Sequence, residues 1–171
     1  MSSKERRASI LKLLLSSDKP LKGVDLASEY NVTRQIIVKD IAILRAEGRN
    51  IIATPEGYII NGLVDRRIRK IIAVNHGRNE LYDEMNTIIK YGGKIEDVIV
   101  EHPLYGEIKC NLMIKTIAEL EAFVKAFEDS KIEPLSSLTG GLHLHTITAE
   151  DQDTLDKIEE ELIKKNYIVL D

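Results

Sequence analysis

Residues 33–60, TRQIIVKDIAILRAEGRNIIATPEGYII, switch period halfway along, and few folds accommodate that switch. Up to Gly48 the apolar positions Ile37, Ile41 and Leu44 recur at helical spacing, with Thr33 in the capping position. Beyond it, two short β-branched runs flank Thr54-Pro55-Glu56-Gly57, which is a hairpin signal. Two more helical segments precede this unit. KERRASILKLLLS (4–16) places Ile10, Leu13 and Leu14 opposite a basic face, and LKGVDLASEY (21–30) places Leu21, Val24, Ala27 and Tyr30 on one side. Asn31-Val32 makes the turn into the third helix. Three short helices and a hairpin, in that order, spell a winged helix-turn-helix.

Burying Ile37, Ile41 and Leu44 leaves Arg34, Gln35, Val38 and Lys39 on the outer stripe of the third helix, near its N-terminus. A helix seated in the major groove reads bases from that end, and Arg and Gln suit bidentate pairing with guanine and adenine. Thr33, Arg34, Gln35, Val38, Lys39 and Arg45 are therefore the candidate contacts to double-stranded DNA, and Lys4, Arg6 and Arg7 are candidate phosphate neighbours. Charge agrees. Residues 1–70 carry 14 Lys and Arg against 8 Asp and Glu, whereas residues 71–171 carry 10 against 20. Only the front part suits a polyanion.

NGLVDRRIRK (61–70) reads as the join, and the boundary is expected near residue 63, giving domains 1–63 and 64–171. The second part alternates. Strands are expected at 68–76, across 97–114 as a pair, and at 141–149; helices at 79–91, 116–130 and 150–166; and a terminal YIVL follows. The fold class is α+β, with an α/β sandwich in which helices cover one sheet.

GGLHLHTITA (140–149) aims two of the chain's four histidines at one side, because successive strand side chains alternate between faces. His143 and His145 share a face, His76 ends the first strand of this part, and Glu84 stands in the following helix. These four make a candidate site of three nitrogens and one oxygen. Such a donor set suits zinc, nickel, iron or copper rather than calcium or magnesium, in either a closed tetrahedral or an open octahedral arrangement. Glu80, Asp83 and Glu84 equally fit a solvated helix face, and His102, before Pro103, equally fits a turn. The functional reading of His102 is a contact to a small ligand beside the metal, with Tyr105 as its companion.

The lone Cys110 excludes an intramolecular disulfide, and the N-terminus returns to charge too soon for a signal peptide. No apolar run approaches membrane-spanning length, so a cytoplasmic protein with no membrane partner is expected. The 43% hydrophobic share is that of a globular chain.

The front segment VTRQIIVKDIAILRAEG...IIATPEGYII, followed by AVNHGRNELYDE, VEHPLYGE and GGLHLHTI, resembles the nicotinate-responsive transcriptional repressors of NAD biosynthesis, in which a winged helix-turn-helix is fused to a three-histidine domain. The resemblance covers essentially the full chain. It implies roles for His76, His102, His143 and His145 with Glu84 as acidic companion, and effector contacts at His102 and Tyr105. It further implies a DNA-binding homodimer with one divalent transition metal ion per chain, nickel or zinc foremost and iron as a further option, and nicotinic acid as co-repressor. A metal-dependent hydrolase and a repressor that senses the metal itself are the rival readings.

Overall fold

A computed structural model of the protein describes residues 1–60 and 66–170. The chain forms two compact units, Met1–Asp65 and Arg66–Asp171. The expected boundary at residue 63 lies outside the described residues. Among the described residues, no helix is long and apolar enough to cross a membrane.

The first unit contains α1 (Ser3–Ser16), α2 (Gly23–Glu29), α3 (Arg34–Ala46), β1 (Ile51–Thr54) and β2 (Gly57–Ile60). The order is that of a helix-turn-helix with a wing. Ser2 and Glu5 form a reciprocal capping box at the start of α1, satisfying backbone N–H groups that have no helical partner. Ile10, Leu14, Leu26, Ala27, Ile37, Ile41, Leu44 and Ile51 form one buried cluster. Two expectations for α2 are corrected. Val24 is exposed and Leu26 takes its place inside, and Leu21 precedes the helix, exchanging backbone hydrogen bonds with Tyr58 at 2.8 and 2.9 Å. Leu21 thus adds a third short rung to the wing. Thr33 stands at the N-cap of α3, yet its hydroxyl makes no capping bond.

The second unit runs β3 (Ile68–Asn75), a 3₁₀ turn (Arg78–Glu80), α4 (Leu81–Lys90), β4 (Lys94–His102), β5 (Gly106–Ile114), α5 (Ile117–Ser130), a second 3₁₀ turn (Leu135–Thr139), β6 (Leu142–Ala149) and α6 (Gln152–Lys164). Its four strands lie in the order β3-β6-β4-β5, every neighbouring pair antiparallel. Ile72, Val74, Ile95, Leu112, Ile114, Ile147 and Ala149 pack with Met85, Ile88, Leu120, Leu155, Ile158 and Leu162 from the helices. The helices therefore cover one face of the sheet, as the sequence pattern predicts. The terminal YIVL forms a single bridge, Val74 to Ile168.

Three details place the site on the helix-covered face. Register sets His143 opposite Val74 and His145 opposite Ile72, so both imidazoles leave the sheet on the side of those buried aliphatic residues. His76, two residues beyond Val74, continues the same parity. A bulge shifts the β4–β5 register between Ile95 and Asp97, and Met113 takes a left-handed φ of 54° there.

Candidate metal centre and DNA interface

Glu84 is a carboxylate inside an apolar core. Its neighbours along the inner stripe of α4 are Met85, Ile88 and Ile89, and its own exposure is 0%. Both carboxylate oxygens are buried without a hydrogen-bond partner, as is Nε2 of His76. A polar group left so costs several kcal/mol, roughly 2–7, unless something pairs with it. The solvated-face reading of Glu84 is therefore corrected, while Glu80 remains exposed and Asp83 meets Lys165 and Tyr167.

The imidazoles of His76 and His145 face that carboxylate, and His143 stands between them, edge to face with both. Ligand atoms of His76, Glu84 and His143 lie within 4.8 Å of one another, forming a candidate metal site. The Nε2 atoms of His76 and His145 are 3.6 and 3.5 Å from the same Glu84 oxygen. These spacings are long for hydrogen bonds. They suit a shared ion, because two donors bound at about 2.0–2.1 Å in tetrahedral geometry stand roughly 3.3 Å apart. His76 and His143 meet edge to face at 4.8 Å, as do His143 and His145 at 4.9 Å.

The opposite ring nitrogens are occupied by backbone. Nδ1 of His76 lies 2.9 Å from the Gly77 carbonyl, Nδ1 of His143 2.8 Å from that of Gly141, and Nδ1 of His145 2.6 Å from that of Asp97. A carbonyl only accepts, so each Nδ1 must donate, and in the neutral ring the lone pair is left on Nε2. Imidazoles that bind metals are held in this way by outer partners. Local sequence explains two of the three bonds. Gly141, at φ 102°, allows β6 to start so close to His76 that a Cβ there would lie 2.7 Å from the His76 carbonyl oxygen. Asp97 sits at the bulge, with its carboxylate accepting from the Thr146 N–H at 2.8 Å and paired with Lys109 at 3.0 Å. Neither Asp97 nor Gly141 was expected as part of the site; the Gly-Gly pair before LHLH was the only sequence signal for either.

Electrostatics bind the cluster together. Burial pushes the Glu84 carboxyl up, but the positive charge of His145, with help from His76 and His143, outweighs it and holds the group at about 2. Burial pushes His145 down and Glu84 more than reverses that, leaving it raised; His76 is raised by the same balance. His143 is lowered to about 4 by burial and by the charge of His145.

His102 ends β4, and its Nδ1 accepts from the N–H groups of Leu104 and Tyr105 at 3.1 and 3.3 Å. The turn reading is thus realised, with the ring as acceptor. His102 also lines a cavity of about 1000 Å3 with His143, Ala73, Ile99, Leu142 and Leu144. Tyr105 stacks loosely on His102 at 5.1 Å and is mostly solvent-exposed.

On the first unit, Thr33, Arg34, Gln35, Val38, Lys39 and Arg45 are all exposed, and Ile36 joins them. Arg34 borders a shallow groove with Lys22, Tyr58 and the wing turn. The structure corrects the phosphate roles suggested for Arg6 and Arg7. Asp40 of α3 turns inward, 2.6 Å from Arg6 Nε and 3.6 Å from Arg7, and ties α1 to α3.

Comparison with known proteins gives the same division. Residues 6–59 match the model of an HTH domain, and residues 69–171 match that of the 3H domain. The chain is 44% identical over 165 residues to a probable transcription repressor NiaR of Thermotoga maritima, spanning 96% of this chain and 94% of that protein. It is 36% identical over 169 residues to the transcription repressor NadR of Bacillus subtilis, spanning 97% and 94%. With an exposed α3 stripe in front and a buried three-histidine cluster behind, the chain belongs to the family of transcription repressors that join a helix-turn-helix domain to a 3H domain.

Proposed function

We propose that this protein is a homodimeric repressor of genes of NAD biosynthesis or niacin salvage, that each chain holds one divalent transition metal ion at His76, Glu84, His143 and His145, and that nicotinic acid acts as its co-repressor. One observation carries the metal assignment: a fully buried carboxylate without hydrogen bonds faces histidines whose Nδ1 atoms are bound to backbone carbonyls. Three imidazoles and one carboxylate favour zinc or nickel, with iron also compatible. When bound, the ion supplies a Lewis-acidic position for a pyridine nitrogen or a carboxylate. His102, which stacks on Tyr105, borders a cavity that also reaches His143, and this supports His102 and Tyr105 as effector contacts; the Ala73, Leu142 and Leu144 walls of that cavity belong to the sheet face opposite the ion.

In the operator complex, Arg34 and Gln35 read base edges, Val38 meets a thymine methyl, and Thr33, Lys39 and Arg45 serve the backbone. Two recognition helices related by the dimer axis require a near-palindromic operator. Control follows from linkage, since nicotinate shifts the DNA-competent population only by its preference for that state. The test is an operator-shift titration with nicotinate on metal-loaded and metal-stripped protein. Nicotinate should tighten operator binding in the loaded protein alone; an equal response after stripping removes the metal from effector recognition.

A further inference from the structure

The ligands of the candidate centre are not equally anchored. His143 and His145 lie inside β6, in register with Val74 and Ile72 of β3, with Nδ1 bonds to residues 141 and 97. His76 lies one residue past the end of β3, its N–H reaches the Gly141 carbonyl only at 3.5 Å, and its Nδ1 partner is its own neighbour Gly77. Glu84 depends on the placement of the first turn of α4. Something else must hold these two.

The C-terminal segment contacts His76 and the residue before Glu84. Asn166, at φ 60°, turns the chain out of α6, and the segment then runs along β3, with the Tyr167 carbonyl accepting from Asn75 N–H at 2.9 Å and Val169 N–H donating to Ala73 at 3.0 Å. The buried Tyr167 ring packs edge-on against His76, 5.4 Å between centroids. Its hydroxyl donates to Asp83, the residue before Glu84, at 2.8 Å, and Lys165 grips the same carboxylate at 2.7 and 2.9 Å.

We propose that residues 165–169 are a clasp on the metal centre, in which Tyr167 is a positioning residue that fixes His76 through its ring and the Glu84 turn through its hydroxyl, and so governs how fast the ion leaves. The inference rests on the metal reading above. Because the clasp touches His76 and the turn that carries Glu84, its loosening opens the site from that side while His143 and His145 stay in place.

Cobalt(II) is the probe, bound to the full-length chain, with its visible absorption bands reporting ligand geometry and transfer to excess chelator reporting release. Tyr167→Phe keeps the ring and loses one hydrogen bond, so release should quicken about 2- to 10-fold with the bands nearly unchanged. Tyr167→Leu loses the ring as well, so the bands should shift and release quicken at least about tenfold. Ile158→Val loosens the core contact of α6 without touching the clasp, and it should lower the melting temperature yet release at the wild-type rate. Wild-type release from Tyr167→Phe, or equal acceleration in Ile158→Val, overturns the clasp while leaving the centre standing. A wild-type protein that takes up no cobalt removes both.

Discussion

Gly141→Ala should damage the metal centre without touching a ligand, and Gly140→Ala, one residue away, should not. At Gly141 the backbone is left-handed, φ 102°, and a Cβ would lie 2.7 Å from the His76 carbonyl oxygen and 2.8 Å from Oδ1 of Asn75. Ordinary contact begins at 3.4 Å, so the strand start and the His76 backbone must separate by about 0.7 Å. Left-handed strain costs about 1–3 kcal/mol and forced overpacking a similar amount, roughly 2–6 kcal/mol together. Gly140, at φ 63°, meets nothing within 4 Å and carries the strain alone. The displacement also moves the Gly141 carbonyl that holds Nδ1 of His143, and binding sites tolerate only about 0.5 Å of such error. Metal affinity should therefore fall about 10- to 100-fold in Gly141→Ala and stay within about twofold of wild type in Gly140→Ala. Competition with a chromophoric chelator measures affinity, and amide exchange along the β3–β6 ladder isolates the stability of this unit from the other. Equal affinities in the two variants would show that the close approach at Gly141 does not shape the centre.

Metal affinity should fall with pH between about 8 and 6, by up to tenfold per unit for each histidine that must lose a proton. The sign follows from the raised direction of His76 and His145: burial opposes their charge but Glu84 outweighs it, so each ring holds a proton more firmly than a free imidazole does. In the metal-free protein that protonation contributes stability fully present below the ordinary histidine value of 6.5 and lost as pH rises through the raised one. His143, lowered to about 4, stays neutral and adds nothing to the slope; an affinity flat across this range would contradict the assignment, as chelator titrations at fixed pH can show. Asp40→Ala should destabilise the first unit by about 3–5 kcal/mol, since it leaves Arg6 and Arg7 without their buried partner; a urea midpoint unchanged from wild type would mean the triad is incidental. Arg34→Ala should cost about 1–3 kcal/mol on the operator and much less on random DNA, and equal losses would make Arg34 a phosphate contact.

Periodicity made the helices legible, because amphipathic α3, α5 and α6 each turn one stripe inward and have little freedom to place it elsewhere, whereas β6 is buried on both faces from His145 to Ala149. The cluster was legible for a related reason. His143 and His145 share parity with the core residues of β6, and His76 extends the parity of Val74. What pattern could not convey was which polar groups turn inward through long-range pairing. Asp40 reads as a surface carboxylate on a basic helix until α1 brings Arg6 to it, and Arg6 then ceases to be a free cation for DNA. Asp97 depends on a bulge, and Tyr167 on a chain reversal after α6, neither of which leaves a periodic trace. Leu21 reads as helical from its spacing because its bridge to Tyr58 spans 37 residues of sequence.

Crystals of the metal-loaded protein, measured at the absorption edge of nickel or zinc, test the central claim most directly. The anomalous map should show one peak per chain, enclosed by Nε2 of His76, His143 and His145 and the Glu84 carboxylate. A peak elsewhere, or none there in a protein that carries stoichiometric metal, would contradict it.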